Sequence, residues 1–361
     1  MAVGHQAPAG PGPLSMDDLT PILFGHAAFQ YLNAGCRLGL FRLLHETPDV
    51  PKKQIGIDLG LDERATDVLL LGTTSLRLTS VRNDTYRNAS VLNDLFVSGQ
   101  WEAFTSVVDF ESDIVYESQA DFVESLRHNT NVGLRRIRGV GRDLYQRLAE
   151  NPPLERTFYR YMRSWSEWSQ PLLLEAVDFG EVGTLLDVGG GDAVNAIALA
   201  RAYPRMNITV LEIPATESIA RQRIRDSGLD DRITVRAGDM FADPFPGDMD
   251  CVLFAHQLVI WNAEQNVRLL RNAHQALRPD GRVVIFSSMS GDAGDGPLMA
   301  ALDSVYFAAL PAEGGMIYSW SQYRQWLATA GFGEAATASG DRWTPHGLLV
   351  AGKRSTGGVD V

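Results

Sequence analysis

The chain has 361 residues, enough for about two domains. Hydrophobic residues make up 45% of it and charged residues 21%, an ordinary globular mixture that excludes a mainly disordered protein. The 32 basic and 44 acidic side chains give a formal net charge of −12, and such a chain repels phosphate backbones and anionic lipid surfaces. We therefore expect neither nucleic acid nor a membrane as a partner.

The two ends of the chain are predicted to be tails. Residues 1–16 are rich in Gly, Pro and Ala and lack a basic segment followed by an apolar run, so they do not resemble a signal peptide. Residues 355–361 form the second tail. No apolar stretch approaches the roughly 18–20 residues that cross a bilayer. The two cysteines, Cys36 and Cys251, are too few for a disulfide framework, and we expect a cytoplasmic protein.

Residues 17–98 are predicted to form a winged-helix domain. The elements, in order, are helices over 27–44, 52–60 and 64–76 and a hairpin over 78–88. Winged helices often bind DNA, but the third helix has only one basic side chain, Arg64, at its start. A dimerisation domain is therefore the better prediction.

Residues 99–175 are predicted to be wholly helical, to link the two domains and to form a lid over the site of the second domain. Pro152 and Pro153 interrupt this segment, and an aromatic-rich stretch follows at 158–165. One helix face explains aromatics at this spacing, so core packing is the alternative to a role in the site.

Residues 176–354 alternate between strands and helices. This alternation predicts a parallel sheet with helices on both faces, the doubly wound Rossmann-like α/β fold. Ligands bind such sheets beyond the carboxyl ends of the strands, so the turns after the strands are the candidate site. The predicted strands cover 184–188, 208–211, 233–237, 249–254, 282–287 and 347–351, and the predicted helices cover 193–202, 219–227, 264–277 and 320–330.

Four chemical features fall at predicted strand ends. The first strand ends in Asp187 and the glycines 189–191, which let the backbone approach a ligand without interference from a Cβ atom. Glu212 ends the next strand, where a carboxylate accepts hydrogen bonds from ribose hydroxyls. Residues 238–241, Gly-Asp-Met-Phe, follow the third strand and suit an adenine, and His256 ends the fourth. Together these features predict a nucleoside cofactor.

The same features resemble a known family. The turn is Gly-Gly-Gly-Asp rather than G-x-G-x-x-G, which weakens a dinucleotide interpretation. With Glu212, Gly-Asp-Met-Phe and Leu-Arg-Pro-Asp-Gly-Arg at 277–282, the chain resembles class I S-adenosylmethionine-dependent methyltransferases. More narrowly, it resembles the small-molecule O-methyltransferase family with an N-terminal winged-helix dimerisation domain. Segments 37–44 and 145–162 also match, so the resemblance extends over about residues 20–353.

The resemblance implies S-adenosyl-L-methionine as cofactor, S-adenosylhomocysteine as its product, a small-molecule acceptor and a homodimer. The predicted cofactor residues are those of the strand-end features, with two from the aromatic stretch that cover the cofactor. They are Asp187, Gly189, Gly191, Glu212, Gly238, Asp239, Met240 and Phe241, with Met162 and Trp165.

The chain departs from this family at the catalytic base. The family usually has H-x-x-H-D-W before the helix at 264–277, and its second histidine accepts the proton of the acceptor hydroxyl. Here residues 256–261 read His-Gln-Leu-Val-Ile-Trp, which puts Val259 in the place of that histidine. Because valine cannot accept a proton, the sequence disfavours histidine-assisted O-methylation.

Three interpretations remain open, and we favour C-methylation of a phenol or an aromatic amino acid in secondary metabolism. A ring carbon next to a phenolate attacks the methyl group in line once it is positioned, and natural-product C-methyltransferases look similar here. His256 or Tyr306 would orient or deprotonate the phenol, and Asp303 would polarise its partner. The second interpretation is O-methylation with a displaced base, namely His256, His128 or Asp303. The third is a non-methylating cofactor-binding enzyme or, outside enzymes, a winged-helix transcription factor.

A planar acceptor suits an apolar and aromatic pocket, although the side chains that would form it could equally be core. The candidate lining residues are Met299, Tyr306, Phe307, Met316, Tyr318 and His128. No ligand spacing supports a metal held by His128, His256 and Asp303, so we expect none. Four arginines are candidates to bind a substrate carboxylate: Arg135, Arg136, Arg138 and Arg324.

Overall fold

The computed structural model describes residues 14–340 and 344–354, and the two expected tails lie almost wholly outside these ranges. The chain folds into two compact units, the first ending at Val108 and the second beginning at Asp109. No helix in the described ranges is both long and apolar enough to span a membrane.

The first unit consists of helices and a small antiparallel sheet. Its elements are α1 (Met16–Leu23), α2 (Gly25–Arg37), α3 (Leu40–Glu46), β1 (Val50–Pro51), α4 (Lys52–Leu59), α5 (Glu63–Ser75), β2 (Thr79–Arg82), β3 (Thr85–Asn88), α6 (Ser90–Val97) and α7 (Trp101–Phe110), whose last residues belong to the second unit. β3 lies between β1 and β2. The predicted order of helix, helix and hairpin is therefore present in α4, α5 and the β2–β3 pair.

Local chemistry explains where these helices begin and end. Asp62 caps α5, since its Oδ1 accepts the Ala65 N–H at 2.8 Å. The helix predicted over 27–44 is divided into α2 and α3, because the chain turns at Gly39 with a φ of 82°. Leu40 and Phe41 follow the turn and are fully buried, which stabilises the unit by about 1.5–3 kcal/mol for each side chain.

The second unit opens with a helical segment that is less regular than the sequence predicted. Its elements are a π-helix (Glu111–Val115), α8 (Tyr116–Ser118), a 3-10 turn (Gln119–Asp121), α9 (Phe122–His128), a second 3-10 turn (Val132–Arg136), α10 (Leu144–Ala149) and α11 (Pro152–Ala176). Residues 137–143 are not helical. The Arg147 guanidinium donates to the carbonyl oxygens of Leu134 and Gly141, which fixes this irregular stretch.

The rest of the second unit is an α/β sheet. Its elements are β4 (Thr184–Val188), α12 (Val194–Ala202), β5 (Asn207–Glu212), α13 (Pro214–Asp226), β6 (Ile233–Ala237), β7 (Met249–Ala255), α14 (Ala263–Ala276), β8 (Leu277–Ser288), α15 (Leu298–Ala309), α16 (Trp320–Thr329), β9 (Ala336–Ser339) and β10 (His346–Gly352). Within the described residues the seven strands are ordered β6-β5-β4-β7-β8-β10-β9.

The sheet is parallel from β6 to β8 but not throughout, which corrects the prediction. β10 runs antiparallel to β8, with His346 opposite Ser288, and β9 runs antiparallel to β10. Only residues 340–345 separate β9 from β10, too few for the crossover that a parallel pair requires.

Helices cover both faces of the sheet. In β4, Leu185 packs in the cluster that α11, α12 and α13 form on one face, and Leu186 packs with α14 and α16 on the other. This alternation confirms the predicted doubly wound Rossmann-like arrangement. It also brings the carboxyl ends of β4, β5 and β7 to one edge of the sheet, where such folds bind ligands.

Candidate active site

A cleft lies at the carboxyl ends of β4, β5 and β7. Five of the ten predicted cofactor residues line it: Gly189, Gly191, Glu212, Met240 and Met162. It also contains residues that the sequence analysis did not single out, among them Asp143, Tyr145, Tyr159, Asp192 and Trp261. The strands and α11 therefore converge on one ligand-sized site.

Glu212 is fixed by the backbone that it faces. The Gly191 N–H donates to its Oε2 at 2.7 Å, and the Ile213 N–H donates to its Oε1 at 2.9 Å. Burial raises the pKa of Glu212, although these two donors oppose the shift. Gly189 and Gly191 have φ values of 68° and 57°, which is why this turn needs glycine. The turn and the carboxylate thus form one preorganised unit.

Asp187 lies directly beneath the glycine turn. It is fully buried, and neither of its carboxyl oxygens has a partner among the described residues. A Cβ atom at Gly190 would lie 2.5 Å from its Oδ2, so only glycine leaves room there. Burial and the charge of Glu212 raise the pKa of Asp187 to about 7. Such an unpaired acid beside a glycine cradle and Glu212 fits a nucleoside ligand that carries hydrogen-bond donors.

The segment 238–241 contributes less to the cleft than predicted. Of its four residues only Met240 lines the cleft. Asp239 is exposed, and its Oδ1 accepts the Phe241 N–H at 2.8 Å, so the carboxylate caps its own turn. Phe241 packs edge-on against Trp261, with ring centroids 4.9 Å apart. Cofactor contacts for Gly238, Asp239 and Phe241 therefore stay predictions.

Asp192 anchors the covering helix to the glycine turn. It is buried and forms ion pairs with Arg163 of α11, at 2.9 Å, and with Arg223 of α13. Arg163 follows Met162, which lines the cleft. Sequence reasoning missed this role, because the acid in Gly-Gly-Gly-Asp shows no partner until the fold brings two arginines to it.

A second, smaller cavity adjoins the cleft and shares Tyr145, Met162, His256 and Ile260 with it. Its other lining residues are Tyr161, Trp165, Val259, Ser287, Ser288, Asp303, Tyr306 and Phe307. The structure therefore brings the three predicted catalytic residues together with Val259, and it places Trp165 here rather than in the cleft. Five of the twelve lining residues are Tyr, Trp or Phe, and such a lining suits a planar acceptor.

Burial shifts the pKa of each of the three predicted catalytic side chains, and two of them are neutral at pH 7. Burial lowers the pKa of His256 to about 4, so its imidazole is neutral at pH 7. Burial raises the pKa of Tyr306 well above its usual value, so it stays protonated, and raises the pKa of Asp303 to about 7. Of these three residues, His256 alone lines the cleft as well as the cavity.

His346 lies behind His256 and was missed in the sequence. Their ring centroids are 5.0 Å apart, and neither nitrogen of the buried His346 ring has a partner among the described residues. Burial and His256 keep its pKa well below the usual value. His256 itself has a φ of 58° and its Nε2 lies 3.5 Å from the Ser169 Oγ. Both rings are therefore neutral, and Ser169 helps to orient the one that reaches the site.

Four of the predicted substrate residues line neither cavity among the described residues, so their contact with the acceptor stays a prediction. The Tyr318 hydroxyl donates to the carbonyl oxygens of Trp261 and Gly314, at 2.7 and 2.8 Å, so Tyr318 is structural. Met316 is 41% exposed, Met299 is half-buried, and His128 is exposed at the end of α9.

The described residues offer no metal site at the cavity, and most of the candidate arginines are already paired. Because His128 lies apart from the cavity that holds His256 and Asp303, the three do not converge, and no other group of His, Cys, Asp or Glu in the described ranges is arranged to hold a metal. Three of the four candidate arginines are in ion pairs: Arg135 and Arg136 with Asp121, and Arg324 with Asp292.

Comparison with known proteins decides the family. The O-methyltransferase domain family matches residues 116–333. The chain belongs to this family. It is 55% identical to the L-tyrosine C(3)-methyltransferase of Streptomyces lavendulae, over 96% of this chain and 95% of that protein. It is 30% identical to the 3-hydroxy-5-methyl-1-naphthoate 3-O-methyltransferase of Streptomyces sahachiroi, over 93% and 95% of the two chains.

Solved structures agree with this assignment. The S-adenosylmethionine-dependent methyltransferase SibL, in its apo form, is 47% identical, with a TM-score of 0.84 over 94% of this chain and all of its own. Human N-acetylserotonin methyltransferase in complex with S-adenosylmethionine shares the fold at 22% identity, with a TM-score of 0.80 over 96% and 100%. The predicted methyltransferase activity and S-adenosylmethionine cofactor are confirmed, and the similarity favours C-methylation over O-methylation.

Proposed function

We propose that this chain transfers a methyl group to a ring carbon of L-tyrosine or a closely related aromatic amino acid, next to the phenol hydroxyl, in secondary metabolism. The observation that carries the proposal is Val259, an apolar side chain in the cavity at the place of the family's histidine base. The name of the relative at 55% identity supports the same chemistry.

In this proposal the cleft binds the cofactor and the cavity binds the acceptor. S-adenosylmethionine, when bound, supplies an electrophilic methyl group, and the glycine turn, Glu212 and Asp187 would hold its nucleoside and amino-acid parts. The methyl group has to cross where the two spaces meet, and His256 lies at that junction. The aromatic walls of the cavity would hold the phenol ring in line with the methyl group, which supplies most of the catalysis.

His256 is the group that we assign to the phenol hydroxyl. As the ring carbon forms its bond to the methyl group, the ring becomes cationic and the phenol proton becomes strongly acidic. A neutral imidazole with a pKa of about 4 is then basic enough to accept that proton. The bond between the cofactor's sulfur and the methyl group would break as the ring carbon takes the methyl group. The hydrogen on the methylated carbon would then leave to water as a proton while the protonated His256 returns its proton to the oxygen, which restores the aromatic phenol.

Ring-deuterated L-tyrosine tests the proposal. With deuterium on both ring carbons next to the hydroxyl, C-methylation gives a product that has lost one deuterium, whereas O-methylation keeps both. Mass spectrometry of the product distinguishes the two. We expect loss of one deuterium. A methylated product that retains both would favour the second candidate, O-methylation with a displaced base.

We also propose that the chain is a homodimer formed through its first unit. α1 has no buried residue, and its apolar side chains Leu19, Ile22, Leu23 and the adjacent Phe24 are exposed. A helix with an uncovered apolar face is stable when a second chain buries it. Light scattering is expected to give the mass of a dimer and, for Ile22→Asp, a shift toward monomer, and a monomeric wild-type protein would contradict the proposal. The cytoplasmic location and the absence of nucleic-acid partners stay predictions.

A further inference from the structure

Two carboxyl groups next to the small cavity have no partner. Glu111 begins the π-helix and Asp303 lies in α15, and neither has a hydrogen bond or an ion pair among the described residues. Burial raises the pKa of each to about 7, and for Glu111 the charge of Asp303 adds to the shift. The two acids are thus close enough to repel each other, and no cation in the described chain offsets them.

Aromatic packing places both acids beside the same two tyrosines. The Phe110 ring stacks on Tyr161 at 3.8 Å between centroids and meets Tyr306 edge-on at 5.2 Å. Glu111 follows Phe110 directly. Asp303 and Tyr306 are three residues apart in α15, so they lie on one face of that helix. Asp303, Tyr161 and Tyr306 all line the cavity.

The tyrosine hydroxyls point independently to a ligand. Tyr161 and Tyr306 are only 6% and 5% exposed, yet neither hydroxyl has a hydrogen-bond partner among the described residues. Because both residues line the cavity, their hydroxyls are available to pair with a ligand bound there. The cavity therefore offers one acid, Asp303, and two phenol oxygens, and Glu111 lies close enough to add its charge. All of these groups can accept hydrogen bonds.

We propose that Glu111 and Asp303, with the Tyr306 oxygen, bind the α-ammonium group of the acceptor amino acid. An ammonium has three N–H donors and one positive charge, which matches this set of acceptors in number and in sign. This assignment rests on the proposed function, and it replaces the polarising role that the sequence gave to Asp303. The phenol end of the acceptor then lies at the junction, near His256.

Three ligands test the site without reliance on turnover. Calorimetry with S-adenosylhomocysteine present measures the affinity for L-tyrosine, for tyramine, which keeps the ammonium, and for 3-(4-hydroxyphenyl)propanoate, which lacks it. We expect the first two to bind roughly tenfold to a hundredfold more tightly than the third. Glu111→Gln and Asp303→Asn each remove most of that preference, while Glu117→Gln, an exposed change in the same segment, keeps it.

The outcomes separate this site from the proposed function. If the wild-type protein binds all three ligands equally, or both variants keep the preference while still binding S-adenosylhomocysteine, the ammonium site is wrong and the proposed function stands. If L-tyrosine does not bind but tyramine still exceeds the propanoate, the acceptor assignment fails and the ammonium site stands. Binding of S-adenosylhomocysteine shows whether each variant is folded. If one variant does not fold, the other still tests the ammonium site.

The pH dependence of L-tyrosine binding gives a second test of the ammonium site. Because protonation removes the charges that bind the ammonium, affinity for L-tyrosine should rise as pH increases from 6 to 8, and proton release should accompany binding near pH 7. The other titratable groups that face the pair are Tyr145, Tyr161 and Tyr306, with His256 further along the cavity. Burial raises the pKa of each tyrosine above this range and lowers that of His256 below it. An affinity independent of pH would overturn the proposal.

Discussion

Replacing Glu212 by alanine is expected to raise the dissociation constant for S-adenosylmethionine by roughly 100-fold or more. The change would remove the carboxylate that we assign to the ribose hydroxyls. It also removes the partner of two backbone N–H groups, those of Gly191 and Ile213, at 2.7 and 2.9 Å. The glycine turn then loses the contact that fixes it across the cleft. Calorimetric titration with the cofactor measures the effect.

A matched control separates this loss from a general effect on the fold. Glu217 lies in the first turn of α13, the helix that follows Glu212, and pairs with Arg221 on the surface. Glu217→Ala should therefore bind the cofactor as the wild type does. Glu212→Gln keeps one acceptor oxygen and should fall between the two. Wild-type affinity in a folded Glu212→Ala protein would refute the assignment of this residue.

Replacing Gly315 by alanine is expected to lower kcat roughly 100-fold and the free energy of unfolding by about 1–3 kcal/mol. A Cβ atom at Gly315 would lie 2.6 Å from the Ile260 carbonyl oxygen and 2.8 Å from that of Val259. These are backbone atoms that cannot rotate away, so one of the two segments has to shift. Ile260 lines both the cleft and the cavity, and the shift would misplace the ring relative to the methyl group.

Thermal unfolding and steady-state kinetics together check this prediction. Gly247→Ala is the control, since its Cβ atom would meet no atom within 4 Å and its φ is not left-handed. In Gly315→Ala, the affinity for the cofactor should change by a smaller factor than kcat. The glycine turn follows β4 and Glu212 ends β5, so neither belongs to the two segments that have to shift. A variant with unchanged melting temperature and unchanged kcat would show that the two segments do not constrain each other.

Much of the cofactor half of the molecule could be predicted from the sequence. β4 and β6 begin and end at the predicted residues, 184–188 and 233–237. β4 is a buried central strand and reads as a short apolar run, whereas β6 is an edge strand in which buried apolar residues alternate with exposed ones. Glu212 was identifiable because it ends a predicted strand at a fixed distance from the glycine turn. These features depend on the spacing of residues along one stretch of the chain, and such spacing can be recognised from the sequence alone.

The acceptor half depends on tertiary contacts that no spacing records. α15 was not recognised as a helix, since Leu298 and Leu302 are exposed while Ala300 and Tyr306 are buried, so its apolar residues do not mark one face. Glu111 was missed because only folding brings the π-helix beside α15. Tyr318 was assigned to the pocket for its aromatic character, but both of its hydroxyl contacts are to backbone carbonyls.

The measurement that tests the account most directly is the carbon-13 spectrum of the product made from L-tyrosine and S-adenosylmethionine labelled in its methyl group. C-methylation places the label in an aryl-methyl group, and O-methylation places it in a methoxy group at a well-separated shift. The account predicts the aryl-methyl signal alone. A methoxy signal would contradict it, because the hydroxyl oxygen would then be the nucleophile despite Val259.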